Sequence, residues 1–239
     1  FEYLPCPVPR SIIHSDDFEN GKGEFIYNLE IQPEIYFELY FDEDFLDSLD
    51  GNLLSDDKVK VLGYRIDDSI FVQQLEVVVP EGSVGVGAFN PETMGEQKVA
   101  VVLVNFNDAK FTFPDPKIPR LTIDYINSIR AKFTDYYNEN SFGQLRINND
   151  LFGPYNIDMD STCSQTSLFG EMHKKIIETA GGSLDNYNRF IYLIPIDCDG
   201  WGGLGDVGKY EGISISVINL PGIRADAFAH EFGHNLGLY

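Results

Sequence analysis

Basic side chains are scarce in this sequence of 239 residues, where 17 lysines and arginines stand against 38 aspartates and glutamates. The formal net charge is −21, and a surface of that sign repels phosphate backbones, which argues against nucleic acid as a partner. Long apolar runs are missing too, because Val99–Phe106 falls far short of the roughly 18 residues of a membrane span. These absences favour a soluble protein that is extracellular, salt-tolerant or cation-binding.

Cysteine is equally rare, with only Cys6, Cys163 and Cys198. Three cysteines without a C-x-x-C pair exclude a disulfide-stapled scaffold and a four-cysteine metal site. Cys163 and Cys198 either form a disulfide or remain as two buried thiols. A disulfide there would close a loop of about 35 residues and contribute roughly 3–4 kcal/mol.

The hydrophobic pattern predicts a β-rich region over residues 1–85, followed by a linker over residues 86–97. Glu24–Phe41 alternates with period two around Pro33, and Lys58–Ile66 and Ser69–Val79 alternate on either side of an Asp-Asp turn. The linker is rich in glycine, proline and polar residues. We therefore expect a small β domain that is either a propeptide or an accessory domain.

Residues 98–239 show a different pattern, in which predicted strands alternate with predicted helices. The strands are Val99–Asn105, Phe142–Ile147, Arg189–Ile194 and Ile213–Leu220; the helices are Thr122–Tyr137, Ser167–Ala180 and one starting near Ile223. Thr122 is the expected N-cap of the first helix, Gly181 and Gly182 should stop the second, and Gly237 should break the third. The first strand is a continuous apolar run, which is typical of burial on both faces. A glycine-rich loop, Gly200–Gly212, precedes the last strand. This alternation predicts an α/β fold with a mostly parallel, twisted sheet.

The last predicted helix carries the motif H-E-x-x-H at His230, Glu231 and His234. Residues four apart on a helix lie on nearly the same face, so the two imidazoles can bind one Zn²⁺ at about 2.0–2.1 Å. Glu231, about 100° away around the helix, can take a proton from water and pass it to a leaving amine. Zinc beside a carboxylate is the chemistry of amide hydrolysis. The alternative is an exposed helix with two surface histidines.

The sequence HEFGHNLGLY resembles the metzincin signature H-E-x-x-H-x-x-G-x-x-H up to its last position, which would be residue 240. From about Val99 to Tyr239 the chain is similar to gametolysin-type secreted zinc proteases, through KVAVVLVNF, YYNENSFGQLRI, RFIYLIPIDCDGWGGLG and AFAHEFGHNLGLY. The resemblance implies His230 and His234 as zinc ligands, Glu231 as general base, and extracellular protein or peptide substrates. Because the third ligand, the Met-turn and the lower subdomain are absent from the sequence, we expect this chain to be inactive or very weakly active alone.

The resemblance also implies where substrate binds. In the metzincin arrangement an edge strand just before the zinc helix pairs with the extended substrate. That strand corresponds to Ile213–Asn219, so we expect Ile213, Ser214, Ile215 and Ser216 to bind substrate.

Three further expectations concern isolated residues. Cys6 lies in a proline-rich segment that loosely resembles the cysteine switch of matrix-type metzincins, so its thiolate could occupy an open zinc position; otherwise it is exposed or paired outside the chain. Asp197, Asp199 and Asp206 either bind Ca²⁺ or form a solvated turn. His173 is expected on the surface of its helix.

Two other functions stay open at this stage. The chain could be a catalytically inactive adhesion or inhibitory module that retains the protease fold, or a zinc peptidase of another clan with a carboxylate as third ligand. The first predicts no tight zinc binding and no functional loss in Glu231→Gln.

Overall fold

Ten strands form one hydrogen-bonded sheet in the computed structural model of the chain, which describes residues 8–17, 22–32, 35–41, 45, 59–66, 68–77, 93–210 and 212–238. The N-terminal strands are β1 (Val8–Asp17), β2 (Lys22–Gln32), β3 (Ile35–Tyr40), β4 (Val59–Ile66) and β5 (Ser69–Val77). The others are β6 (Gly95–Asn105), β7 (Leu145–Asn156), β8 (Arg189–Leu193), β9 (Gly203–Asp206) and β10 (Ser214–Ile218). Their order across the sheet is β4-β5-β3-β2-β1-β9-β10-β8-β6-β7.

The C-terminal half of this order confirms the predicted α/β class. Strands β7, β6, β8 and β10 run parallel, and β9 adds to β10 antiparallel. Helix α1 (Ile123–Asn140) connects β6 to β7, helix α2 (His173–Ala180) precedes β8, and helix α3 (Ala225–Asn235) follows β10. A short turn, Gln165–Ser167, and a π-helical turn, Leu168–Met172, lead into α2. None of the helices in the described ranges has the length and apolar character needed to cross a membrane.

Local signals explain where the helices begin and end. Thr122, the predicted N-cap of α1, accepts a hydrogen bond from the backbone N–H of Tyr125 at 3.1 Å, which satisfies an otherwise orphaned donor. Gly181 ends α2 in the left-handed conformation, with φ at 57°. Gly237 has φ at 82° just after α3, so the predicted stop after the H-E-x-x-H motif is confirmed.

The apolar run of β6 is buried on both faces, as its sequence predicted. One face joins a core beneath α1 and α3 that includes Val99, Val101 and Leu103; the other joins a core beneath α2 that includes Ala100 and Val102. A strand covered on both sides cannot alternate between apolar and polar residues. The continuous valine-rich sequence therefore follows from the position of β6 between two helical layers.

The N-terminal strands form a third apolar cluster, consisting of Leu29, Phe37, Leu39, Val59, Val61, Ile70, Val72 and Val207. Strands β2 and β3 pair antiparallel up to Gln32 opposite Ile35, and β4 and β5 form the antiparallel hairpin that the alternation predicted. Strand β1 was not predicted. Its sequence, VPRSIIHSDD, has a proline and two adjacent isoleucines, so it lacks a clean period-two signal. It forms because it pairs with β2 on one side and β9 on the other.

Three predicted boundaries are corrected by the structure. β6 begins at Gly95, inside the segment assigned to the linker, of which only residues 93–97 are described. β7 begins at Leu145 and continues to Asn156, well beyond the expected end at Ile147. The segment predicted as a glycine-rich loop contains β9, which was not predicted because glycine disfavours strands.

Candidate metal centre

Helix α3 presents both histidines of the H-E-x-x-H motif on one side. The Nε2 atoms of His230 and His234 lie 3.0 Å apart, and their rings meet at an angle of 81°. Two nitrogens bound to one zinc ion at about 2.05 Å with a tetrahedral angle would be about 3.3 Å apart. The pair therefore fits two adjacent vertices of a zinc site with little adjustment.

The ring of His234 is oriented by the turn that follows α3. Its Nδ1 lies 2.9 Å from the carbonyl oxygen of Leu238. A carbonyl only accepts, so this contact assigns the proton to Nδ1 and leaves the Nε2 lone pair facing His230. The carbonyl is held in place because the Leu238 N–H donates to Gly233 and the Gly237 N–H donates to His234, at 3.0 and 2.7 Å.

The carboxylate of Glu231 is fully buried against β9. An added Cβ at Gly203 would lie 2.8 Å from the Cγ of Glu231, and one at Gly205 would lie 3.0 Å from its Oε2. Real Cβ atoms do not approach that closely, so β9 has room for the carboxylate only because both positions are glycine. Sequence reasoning missed this role, although the alternation Gly-Leu-Gly is a signal for a close neighbour on one face of a strand.

A cavity of about 510 Å³ opens beside the two histidines, between α1 and α3. Its lining includes Tyr136 and Tyr137 of α1 together with His230 and His234. The Tyr137 hydroxyl donates to the carbonyl of Ala229 at 2.6 Å, and burial raises the pKa of this phenol. Tyr137 therefore stays a neutral donor that fixes α3 against α1 at the level of the histidines.

The segment expected to bind substrate is not a sheet edge. β10 lies between β8 and β9 and pairs with both, and Ser214 and Ser216 are 0% exposed. Ile213 lies just outside the strand, in a bridge with Tyr210. The premise of an open edge is therefore wrong for β10, because β9 pairs with it at Ser216, Val217 and Ile218, and the Asp206 carboxylate accepts a hydrogen bond from the Ile215 N–H. The substrate role of Ile213, Ser214, Ile215 and Ser216 stays a prediction.

The serines of β10 instead face the end of α3. Asn235, the last residue of the helix, accepts a hydrogen bond from the Ser216 hydroxyl at 3.0 Å through its Oδ1. Its Nδ2 donates to the carbonyls of Asp206 and Ile215 at 2.9 and 3.2 Å. Asn235 thus joins α3 to β9 and β10, a role that the sequence did not indicate.

Cys163 and Cys198 are joined in a disulfide with their Cα atoms 5.7 Å apart. The bond connects the segment before the π-helical turn to the segment that leaves β8. Cys6 lies outside the described residues, so its role as a zinc-switch thiol stays an expectation.

The three aspartates weighed for Ca²⁺ do not share one environment. Asp197 and Asp199 are exposed, whereas Asp206 is 3% exposed and accepts a hydrogen bond from the Ile215 N–H at 2.8 Å. Within the part of the chain that the structure describes, no group of three or more histidine, cysteine, aspartate or glutamate side chains is placed to hold a metal ion.

His173 is not the surface residue that its sequence position suggested. Its Nδ1 lies 2.5 Å from the Tyr192 hydroxyl, and burial lowers the pKa of the imidazole to about 4. The ring packs in the α2 layer, on the opposite face of the sheet from the core that holds α3. His173 therefore does not contribute to the candidate metal centre.

No protein-family model matches this chain, and no curated protein or solved structure matches it either.

Proposed function

We propose that the chain carries the catalytic region of a secreted, zinc-dependent endopeptidase of the metzincin type, in its gametolysin-like branch. The observation that carries this proposal is the convergence of two imidazole Nε2 atoms at 3.0 Å beside a fully buried glutamate on one helix. The layered sheet, with α1 and α3 on one face and α2 on the other, supports the proposal. The substrates in this reading are extracellular proteins or peptides.

His230 and His234 would hold the zinc ion. When bound, zinc supplies Lewis-acid chemistry that polarises a peptide carbonyl and makes water a nucleophile at neutral pH. The Leu238 carbonyl keeps the proton of His234 on Nδ1, so that Nε2 remains available as a ligand.

Glu231 would act as the general base and then as the general acid. Its carboxylate takes a proton from the attacking water and delivers it to the amine that leaves. The β9 backbone holds this carboxylate closely, because Gly203 and Gly205 allow it to lie against the strand. A carboxylate fixed in this way needs little reorganisation when the proton moves.

Residues 1–85 are proposed to act as a prosegment. Strand β1 pairs antiparallel with β9 from Ile13 opposite Asp206 to Asp16 opposite Gly203. Those backbone groups of β9 are the ones that an added extended peptide would use. The pairing therefore covers the strand that supports Glu231.

The test is zinc stoichiometry together with the Glu231→Gln variant. We expect about one zinc per protein. Glu231→Gln should keep the zinc and lose activity towards a generic peptide by roughly 10²–10⁴-fold. Glu171→Gln, which changes an exposed glutamate in the π-helical turn, is the matched control.

Full activity in Glu231→Gln would contradict the role of the carboxylate. Absence of tight zinc binding, with no functional change in this variant, would favour the inactive adhesion or inhibitory module instead.

A further inference from the structure

A buried arginine lies where α3 meets the sheet. Arg189 is the first residue of β8 and is 1% exposed. Its Nη1 donates to the Asn235 carbonyl at 2.8 Å and to the Ser214 hydroxyl at 3.1 Å. The guanidinium carbon lies 5.4 Å from the centre of the Phe232 ring, within α3 itself. Arg189 thus contacts α3 at two positions in its last turn, Phe232 and Asn235.

The orientation of Arg189 is set from the other side by Gln97. The Gln97 Oε1 accepts a hydrogen bond from the arginine Nε at 2.9 Å, and the Gln97 Nε2 donates to the Met94 carbonyl at 2.9 Å. The amide is therefore fixed with its oxygen towards the guanidinium. Arg189 is held in a single direction, which points its Nη1 at the end of α3.

The contact falls on the part of the helix that most needs a donor. The last four carbonyls of an α-helix have no partner within the helix, and the C-terminal end of the helix dipole is negative. The buried guanidinium of Arg189 donates to the Asn235 carbonyl and places a positive charge at the negative end of the helix dipole. Asn235 follows His234 directly, and the turn after it supplies the Leu238 carbonyl that orients the His234 ring.

We propose that Arg189 is a positioning residue for the metal centre, which fixes the last turn of α3 so that the His234 Nε2 faces that of His230. This inference rests on the proposed zinc site. Groups that hydrogen-bond a metal ligand directly typically contribute about 10–100-fold to metal affinity. Arg189 lies one contact further from the ligand, so we expect a contribution at the low end of that range, about tenfold. Arg189 acts through the backbone of Asn235 and does not touch the metal position itself.

The chain offers a matched control in Arg130. This arginine of α1 donates from Nε to Asn149 Oδ1 and from Nη2 to the Asn149 carbonyl, both at 2.6 Å. It therefore ties a helix to a strand as Arg189 does, but to β7. Loss of either arginine should lower thermal stability, whereas only loss of Arg189 should disturb α3.

The experiment measures Co²⁺ and Zn²⁺ affinity of the full chain by competition with a chelator, for wild type, Arg189→Met, Arg189→Lys and Arg130→Met. We expect Arg189→Met to weaken binding by about tenfold or more and to change the cobalt absorption bands. Arg189→Lys should recover part of the affinity, because it keeps the charge and one donor. Arg130→Met should bind as wild type does.

A second measurement needs no metal. Amide hydrogen exchange at Gly237 and Leu238, whose N–H groups bond to the last turn of α3, should be faster in Arg189→Met than in Arg130→Met. If Arg189→Met does not fold, Arg189→Lys and Gln97→Ala decide the question, with an expected loss of about threefold in metal affinity for each.

The outcomes separate the two proposals. Wild-type binding that depends on His230 and His234 but not on Arg189 would overturn the positioning role and leave the zinc site intact. Equal losses in the Arg189 and Arg130 variants, in proportion to their melting temperatures, would also overturn it. Failure of wild type to bind either metal would overturn the proposed zinc site, and the positioning role with it.

Discussion

The two halves of the sheet are built differently. Strands β6, β8, β9 and β10 lie between helical layers, and their central residues are almost completely buried on both faces. Strands β3, β4 and β5 bury one face and expose a row of aromatic rings on the other. In that row, Phe71 lies beside Tyr40 on β3 and Tyr64 on β4, and these rings are 42–53% exposed.

This difference predicts unequal local stability. A region with one covered face buries less apolar surface and opens at a lower free energy than one with two covered faces. The two regions meet at the β1–β9 ladder. The less protected region thus pairs with an edge of the more protected one, as the proposed prosegment role requires.

The largest expected effect lies in the C-terminal half. His234→Ala should abolish tight zinc binding, because it removes one of two converging ligands. His173→Gln should bind zinc as wild type does, since His173 contacts Tyr192 in the α2 layer. A zinc competition assay on both variants checks this. Tight zinc binding by His234→Ala would show that His234 is not a zinc ligand.

Loss of the Cys163–Cys198 disulfide should have the second largest effect, on the free energy of unfolding. Cys163→Ser combined with Cys198→Ser opens a loop of 35 residues and should lower the free energy of unfolding by roughly 3–4 kcal/mol. Because the disulfide lies among β6–β10 and their helices, hydrogen exchange should rise there and not in β2–β5. Equal changes in both halves would show that they unfold as one unit.

Acid should weaken the C-terminal half through His173. Its folded pKa of about 4 lies below the ordinary value of 6.5, so the unfolded chain binds a proton that the folded chain resists. Stability should therefore fall as pH drops from about 6.5 towards 4, by roughly 2–3 kcal/mol in all. Urea unfolding at several pH values should show a shallower decline in His173→Gln. Identical pH profiles would contradict this role.

Gly203→Ala should have a smaller effect on stability and a specific effect on the site. The added Cβ overlaps the Glu231 carboxylate, so we expect a loss of about 1–3 kcal/mol and weaker peptidase activity at unchanged zinc content. Gly170→Ala, where nothing lies within 4 Å of the added carbon, is the control. Unchanged activity in folded Gly203→Ala would mean that the carboxylate has another position during catalysis.

The smallest effect on the candidate metal centre should come from the β1–β9 ladder, which joins the two halves of the sheet. β1 lies between β2 and β9, so His14→Pro and Ser15→Pro should each remove one hydrogen bond, towards opposite neighbours. Each lost hydrogen bond is worth about 1 kcal/mol, and the fixed φ of proline adds strain within the strand. One variant should speed amide exchange at Leu204 and Gly205, and the other should not. If neither does, β1 does not protect the edge of β9.

Local patterns in the sequence predicted much of this architecture. The apolar run of β6, the N-cap at Thr122 and the stop at Gly181 depend only on neighbouring residues, and each lies where the pattern placed it. The four-residue spacing of the histidines likewise determines that they share a helix face. The glycine at position 237, with φ at 82°, lies where the sequence alone placed the end of that helix.

Only the tertiary structure decided which segments meet. Nothing local in the segment around Ile13 indicates a partner at Asp206, because strand pairing depends on which edges remain open after the sheet assembles. The glycines at 203 and 205 discourage a strand by themselves and are explained only by the carboxylate that lies against them. Arg189 reads as a polar residue at the start of a strand, and its bond to Asn235 requires the fold to bring together positions 46 residues apart. The periodicity of the sequence specifies the helices and strands, whereas packing decides which distant groups meet. The surroundings of the two histidines were therefore decided by the tertiary structure.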